Sequence, residues 1–371
     1  MAIARVPITN IYMGGDYTAT IMVGPHKQPM NVILDTGSSA LALDGHKYKP
    51  DLQHGDRSTN LAQTDAYGDG SSWTGAVFNL SISIGEAGTA ITLPDANAAI
   101  AYLQSASMFR SADGILGLAY APLDDAFEMP QDTWAHQYDS TEVRAGKRTN
   151  LVPFLTQLAG EHVTFDIISF VTRRSFVHES GGDPADDPLN QGWMIVGGGE
   201  EAKDLYFGRF QTARVMSQKW YNTNLKAIIV GDTDPIHVPK GSRSGNSIVD
   251  SGTQDLEFSR DLWNAIRDRF DAGKRALLEP DGITRMSELD LAEWPLLTVI
   301  LEGEARDVIL KIEPGDYWQV NNPRAGSASL AISPSHDGSI TLGLPLMNGH
   351  FTIFDGEANH GKGAIRFAAR R

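Results

Sequence analysis

The sequence predicts a mostly β protein made of two related β-rich lobes with few short helices, and three observations carry that prediction. The first is a duplicated device. Val32-Ile33-Leu34-Asp35-Thr36-Gly37-Ser38-Ser39 and Ser247-Ile248-Val249-Asp250-Ser251-Gly252-Thr253 are each an apolar, largely β-branched run that stops at an aspartate, a small hydroxyl residue and a glycine. The second is punctuation: 37 Gly and 18 Pro separate short β-rich runs such as Ala76 to Ile84. The third is size. With 371 residues and 41% hydrophobic content, the chain holds more core than one single-core domain usually builds.

Each copy of the device reads as a buried strand ending in a tight loop. Asp and Gly are ordinary turn residues, so either loop alone would be a plain turn; the repetition behind the same kind of apolar run sets the pair apart. Two carboxylates held face to face cannot both ionise. One keeps a proton while the other stays charged, which supplies a general acid and a general base together. The neighbouring glycines let the backbone approach, with their N–H groups free to bond the carboxylates. The repeat places a first lobe over residues 1–200 and a second over residues 201–371. Helices are expected at Leu151 to Ala159, at Met286 to Leu291, and at Arg260 to Phe270, where Ser259 is placed to cap and Leu262, Ile266 and Phe270 share a face.

Several further segments follow in order. Ala66-Tyr67-Gly68-Asp69-Gly70-Ser71-Ser72-Trp73-Thr74-Gly75 reads as a hairpin whose turn suits a positive φ at Gly70. Ala112 to Tyr120 contains Ile115-Leu116-Gly117, and Ile340-Thr341-Leu342-Gly343 echoes it late in the chain. With the two Asp loops, the opening Val6 to Asn10 and the closing stretches Phe351 to Asp355 and Gly363 to Ala368, these segments resemble the pepsin-like (family A1) aspartic proteases along nearly the whole chain.

That resemblance implies a bilobal acid protease fold with a deep cleft and an aspartic endopeptidase cutting between bulky apolar residues. Asp35 and Asp250 would share a proton and a water, without a covalent intermediate. Gly37 and Gly252 would donate N–H groups to the carboxylates, Ser38 and Thr253 would reach their other oxygens, and Thr36 and Ser251 would cross-link the two loops. Tyr67 would lie on a flap closing over an extended peptide, with Gly68 and Asp69 bonding its backbone. Ile115 and Phe109 are expected as pocket walls. The implied partners are a peptide or protein substrate and statine-type inhibitors, acting on a monomer with no cofactor and no metal.

Three positions depart from the family pattern. Ala42 stands where a tryptophan usually braces the flap tyrosine; either Trp73 on the flap strand substitutes for it or the flap is looser. Gln254 follows Thr253 where a small hydroxyl is more common, altering the substrate side. Leu344 follows Gly343 where many members carry Asp, removing one acid from the neighbourhood of the pair. Two other readings on this scaffold remain: a catalytically weak binding or inhibitory protein, and an acid–base enzyme acting on a small molecule.

Composition excludes other classes. A formal net charge of −15 argues against nucleic acid, and no apolar run reaches the ~18 residues of a membrane span. There are no cysteines. The 10 histidines are scattered, no His-Glu-x-x-His or Gly-x-Ser-x-Gly pattern occurs, and Gly197-Gly198-Gly199 reads as a strand-end turn. Asn79-Leu80-Ser81 is a glycosylation triplet by pattern. The start lacks a signal-peptide pattern, which implies secretion if an upstream leader was removed and an intracellular protein otherwise. With 31 Lys and Arg and 10 His left charged in strong acid, self-repulsion predicts a mildly acidic optimum and unfolding in strong acid. Residues 121–150 read as a surface insertion and 174–192 as a second long loop, both tolerated additions to the fold.

Overall fold

The computed structural model describes residues 1–86, 88–106, 108–278 and 282–371. Strands dominate, and no α-helix among the described residues exceeds eight residues. None is long and apolar enough to cross a membrane. The chain divides into two compact units. The first comprises Met1–Val6, Thr18–Asp166 and Ile195–Gly197; the second comprises Pro7–Tyr17, Ile167–Met194 and Gly198–Arg371, so it takes in two stretches from before residue 200.

In the first unit, the strand Gln28–Asp35 lies antiparallel to Thr18–Val23 and parallel to Gly114–Gly117. Leu41–Asp44 then sits between Gly114–Gly117 and Ile91–Gln104. Val32, Ile33 and Leu34 are all buried. An unbroken apolar run is what a strand covered on both faces requires. The neighbouring Ser72–Ile84 has the other pattern in its second half: Phe78, Leu80, Ile82 and Ile84 are buried while Asn79, Ser81 and Ser83 are half-buried. One face meets the core and the other meets solvent, the period of two expected of such a strand.

Residues 121–150 correct their reading as a loop. Asp125–Glu128 and Lys147–Asn150 pair as a hairpin, and the first of these strands adds to Arg57–Ala66 through Leu61 and Ala62. Between them, the helix Ser140–Arg144 starts at a capping box formed by Asp139 and Glu142. Phe127, Met129, Tyr138 and Val143 pack with Ala62 as a small satellite core. Those apolar residues are spaced too irregularly in a polar stretch to announce themselves by periodicity.

In the second unit, Ile167–Val171, His350–Asp355, Ala364–Arg370 and Tyr206–Arg214 neighbour one another in that order. A separate five-stranded sheet carries Ser247–Val249, flanked by Asn222–Thr223 and Thr341–Leu342 and continued by Leu256–Phe258 and Ile332–Pro334. The expected helices are only partly as read. Arg260–Arg267 buries Leu262, Trp263 and Ile266, and Ser259 holds the N-cap position but makes no side-chain cap bond. The helix expected from Leu151 starts at Phe154, behind Pro153. The stretch 286–293 forms two 3-10 turns, Met286–Glu288 and Leu291–Glu293, rather than one α-helix. The 174–192 loop is organised around buried Asn190, whose amide donates to the carbonyls of His178 and Pro184. Gly197 and Gly199 have φ of 85° and 153° just past the strand Gln191–Val196, a strand-end turn as read.

Candidate active site

The first aspartate is held by its own loop. Gly37 N–H donates to Asp35 Oδ1 at 2.7 Å and the Ser38 hydroxyl to Asp35 Oδ2 at 2.5 Å. Each bond to a charged carboxylate contributes about 1.5–3 kcal/mol. The loop is pinned from behind. Leu118 N–H donates to Asp35 O, Ala119 N–H to Ser38 O, and the Ser39 hydroxyl to Tyr120 O. Gly117 makes this approach sterically feasible, because a Cβ there would lie 2.4 Å from the Ser39 carbonyl carbon. Asp35 is only 5% exposed and Thr36 is fully buried.

The second loop repeats the design within its own unit. Gly252 N–H donates to Asp250 Oδ1 at 2.9 Å, and the Thr253 hydroxyl to Asp250 Oδ2 at 2.8 Å. Val249 runs parallel to Leu342, and Asp250 N–H donates to Leu342 O. A Cβ on Gly343 would meet the carbonyl oxygens of Thr253 and Asp255, each at 2.3 Å. Gly117 N–H donates to the carbonyl of Ala40 and Gly343 N–H to that of Asp255, in each loop the fifth residue after the aspartate. Asp250 is 8% exposed, and Ser251 is buried.

The hairpin expected as a flap turns at Tyr67 to Ser71. Tyr67 N–H donates to Ser71 O, Gly70 N–H returns to Tyr67 O, and Gly70 has φ 83°. Ser71 N–H donates to Asp69 Oδ1, so the Asp69 carboxylate braces its own turn. Gly68 and Asp69 are exposed at the tip. The Tyr67 phenol, by contrast, points inward: burial raises its pKa well above the usual tyrosine value, and the charges of Asp65 and Asp35 add to this. Hydrogen bonds to Trp73 and Ser38 oppose that rise.

The Trp73 indole N–H donates to Tyr67 Oη at 3.2 Å. The phenol thus lies beside both Trp73 and Ser38, whose own hydroxyl donates to the Asp35 carboxylate. Ala42, where the family pattern has its brace, is a buried residue of the sheet. Trp73 reaches the Tyr67 hydroxyl from within the hairpin itself.

The remaining expected residues fall as follows. Ile115 pairs with Ile33 and with Ala42, and Ile115 and Phe109 are as buried as core side chains. Gln254 packs its amide against Gly15, where an added Cβ would lie 2.5 Å from Gln254 Cδ. Leu344 opens the buried turn of helix Leu344–Asn348. Sequence reasoning missed two acids beside these loops. Burial raises the Glu257 carboxyl, with the charges of Asp250 and Asp337 next in effect. Burial likewise raises Asp65, two residues before the flap tyrosine. The only sequence signal for either was its position on a strand flanking a loop already singled out.

Residues 16–137, which hold the first loop and the hairpin, match the family model for eukaryotic aspartyl proteases. A beta-secretase of Strongylocentrotus purpuratus is 24% identical over 381 residues, an alignment that covers 93% of this chain and 65% of that protein. The match thus spans just under two thirds of the relative's length. The chain is thus similar to eukaryotic aspartyl proteases over its first aspartate loop and hairpin, and to one beta-secretase along almost its whole length.

Proposed function

We propose that the chain is an aspartic endopeptidase in which Asp35 and Asp250 act as a pair on one water molecule. The observation that carries this reading is the twofold cradle: each aspartate receives one backbone N–H from the glycine two residues on and one hydroxyl from the residue three on. Holding both oxygens of each carboxylate fixes the plane in which a water and a carbonyl must lie. The ionised member takes a proton from water as its oxygen attacks the scissile carbonyl carbon, and the protonated member donates to the carbonyl oxygen. Collapse of the tetrahedral adduct sends a proton to the leaving amine. The proton belongs to the pair rather than to either residue.

Tyr67 and the exposed tip at Gly68 and Asp69 would close over an extended peptide, with backbone groups pairing as an added strand. Phe109 and Ile115 would wall a pocket for a bulky apolar side chain. The buried Leu344, in place of the family's usual acid, keeps that position apolar, and Gln254 would present an amide on the substrate side.

The test is hydrolysis of denatured haemoglobin or casein in mild acid. The wild-type chain is expected to cleave, a statine-type inhibitor to stop it, and Asp35→Asn or Asp250→Asn each to lower kcat by at least about 10³-fold while the fold persists. A correctly folded wild-type chain that leaves a diverse peptide library intact would sink the proposal. Full activity in either Asn variant would do the same.

A further inference from the structure

Three side chains that belong to neither carboxylate loop converge at one point on the surface of the first unit. His26 lies in the turn between Thr18–Val23 and Gln28–Asp35, while Asp51 and His54 lie in the loop before Arg57–Ala66. His26 Nε2 and His54 Nδ1 stand 3.0 and 2.7 Å from the same atom, Asp51 Oδ2. The three atoms all lie within 4.8 Å of one another. The imidazole rings meet edge to face with centroids 5.5 Å apart.

The backbone beneath holds this arrangement. The Tyr48 hydroxyl donates to Asp56 Oδ2 at 2.6 Å, and the same oxygen accepts Asp51 N–H at 2.8 Å. The loop is closed by His54 N–H and Asp56 N–H, both donating to Asp51 O. Tyr48 also supports the other arm: a Cβ on Gly24 would fall 2.1 Å from Tyr48 Oη, so the turn carrying His26 rests on the residue that anchors Asp51 and His54. Finally, Asp51 Oδ1 accepts Gln53 N–H at 3.0 Å, which orients the carboxylate and leaves Oδ2 facing the two rings.

We propose that His26, Asp51 and His54 form a binding site for a divalent transition metal of the zinc class. Two imidazole nitrogens and one carboxylate oxygen are the donor set that suits Zn²⁺, Ni²⁺ or Cu²⁺, whereas Mg²⁺ and Ca²⁺ favour all-oxygen shells. Three protein ligands on an accessible surface leave a fourth position for water. The side chains of His26 and His54 are 69% and 60% exposed, so an ion has direct access. On binding, each neutral imidazole carries its proton on its other ring nitrogen, and the metal replaces the two N–H···O bonds now made to Asp51 Oδ2. The ligands come from two separate segments, so the ion would bind the folded unit and clamp its turn to its loop.

The experiment is calorimetric titration of the metal-stripped full chain with ZnCl₂, alongside visible spectroscopy of the Co²⁺ form. One equivalent with a micromolar dissociation constant is expected, with the intense visible bands of a four-coordinate Co²⁺ site. His26→Ala and His54→Ala, both exposed positions, should each weaken binding at least about tenfold, and Asp51→Asn should do so as well. Asp250→Asn should bind Zn²⁺ like the wild type, and His26→Ala should keep the full peptidase rate, so this site and the proposed activity fail or stand separately. No saturable binding below the millimolar range, or unchanged binding in the His26→Ala/His54→Ala double variant, would overturn the proposal.

Discussion

The two carboxylate loops share a cradle and differ in everything around it. Asp35 ends an eight-residue strand, Asp250 follows a three-residue one, yet both accept the same pair of hydrogen bonds and both rest on a glycine of a parallel neighbour. Outside the cradle the first loop is tied through Ser38 to a tyrosine and a tryptophan. The second has Glu257 beside its carboxylate and Gln254 packed on Gly15. What is duplicated is therefore backbone geometry, set by glycines and small hydroxyls. What has diverged is the side-chain environment, which sets access and charge.

The comparison breaks most visibly at the two glycines. Gly117→Ala would place a methyl 2.4 Å from Ser39 backbone, and Gly343→Ala one 2.3 Å from the Thr253 and Asp255 carbonyls. Neither neighbour is a flexible side chain that can swing away. Each variant is expected to cost more than about 4 kcal/mol, the severe end of single substitutions. Urea denaturation followed by near-UV circular dichroism measures this. If one alanine is tolerated and the other is not, the two cradles are not equivalent supports.

A second comparison concerns buried acids. Burial pushes Asp124 of the first unit up to about 7 and Asp316 of the second up to about 6. Asp124 has Gln63 Nε2 as its donor at 2.7 Å, and the charge of Arg370 partly offsets the burial of Asp316. A carboxyl whose folded pKa lies above its unfolded value holds its proton longer in the fold. Stability from this source is whole below about pH 4 and is lost as pH rises to about 7 for Asp124, or about 6 for Asp316. Together with the self-repulsion of cationic groups in strong acid, this favours a mildly acidic stability maximum. Asp124→Asn keeps an acceptor for Gln63 and removes the ionisation, so it should stabilise the chain by about 2–4 kcal/mol at pH 8 and by nearly nothing at pH 4. Asp316→Asn should show the same sign and a smaller gain. Denaturation curves at both pH values in which Asp124→Asn tracks the wild type would refute the assignment.

These elements differ in how far the sequence disclosed them. Both loops, the hairpin turn and the paired glycines were legible because each is a local pattern: an apolar run, a turn residue, a residue forced to be small. Asp124 was not, since it sits among the acids of a stretch that read as a surface insertion and is buried only because Asp125–Glu128 docks on Arg57–Ala66. Glu257 escaped for a similar reason; a charged residue on a strand carries no sign of what it will face. The His26, Asp51 and His54 cluster joins residues from separate segments, and scattered histidines give no clue to convergence. Trp73 was visible as a neighbour of Tyr67 in sequence, but no local pattern fixes that its buried indole N–H meets the Tyr67 hydroxyl.

The smallest effect tests whether that tryptophan is a brace or only filler. Trp73 is 2% exposed, so Trp73→Phe removes both packing volume and the N–H donor to Tyr67. Tyr67→Phe removes the same hydrogen bond from its other end without a cavity, and also cuts the link to Ser38. If the bond positions the phenol over the first loop, each variant should lower kcat about 5- to 10-fold, roughly the 1 kcal/mol of one hydrogen bond. The double variant should then cost little more than Tyr67→Phe alone, because one interaction cannot be lost twice. Additive losses would mean that Trp73 acts through packing, and the asymmetry between the loops would rest on Tyr67 and Ser38 alone.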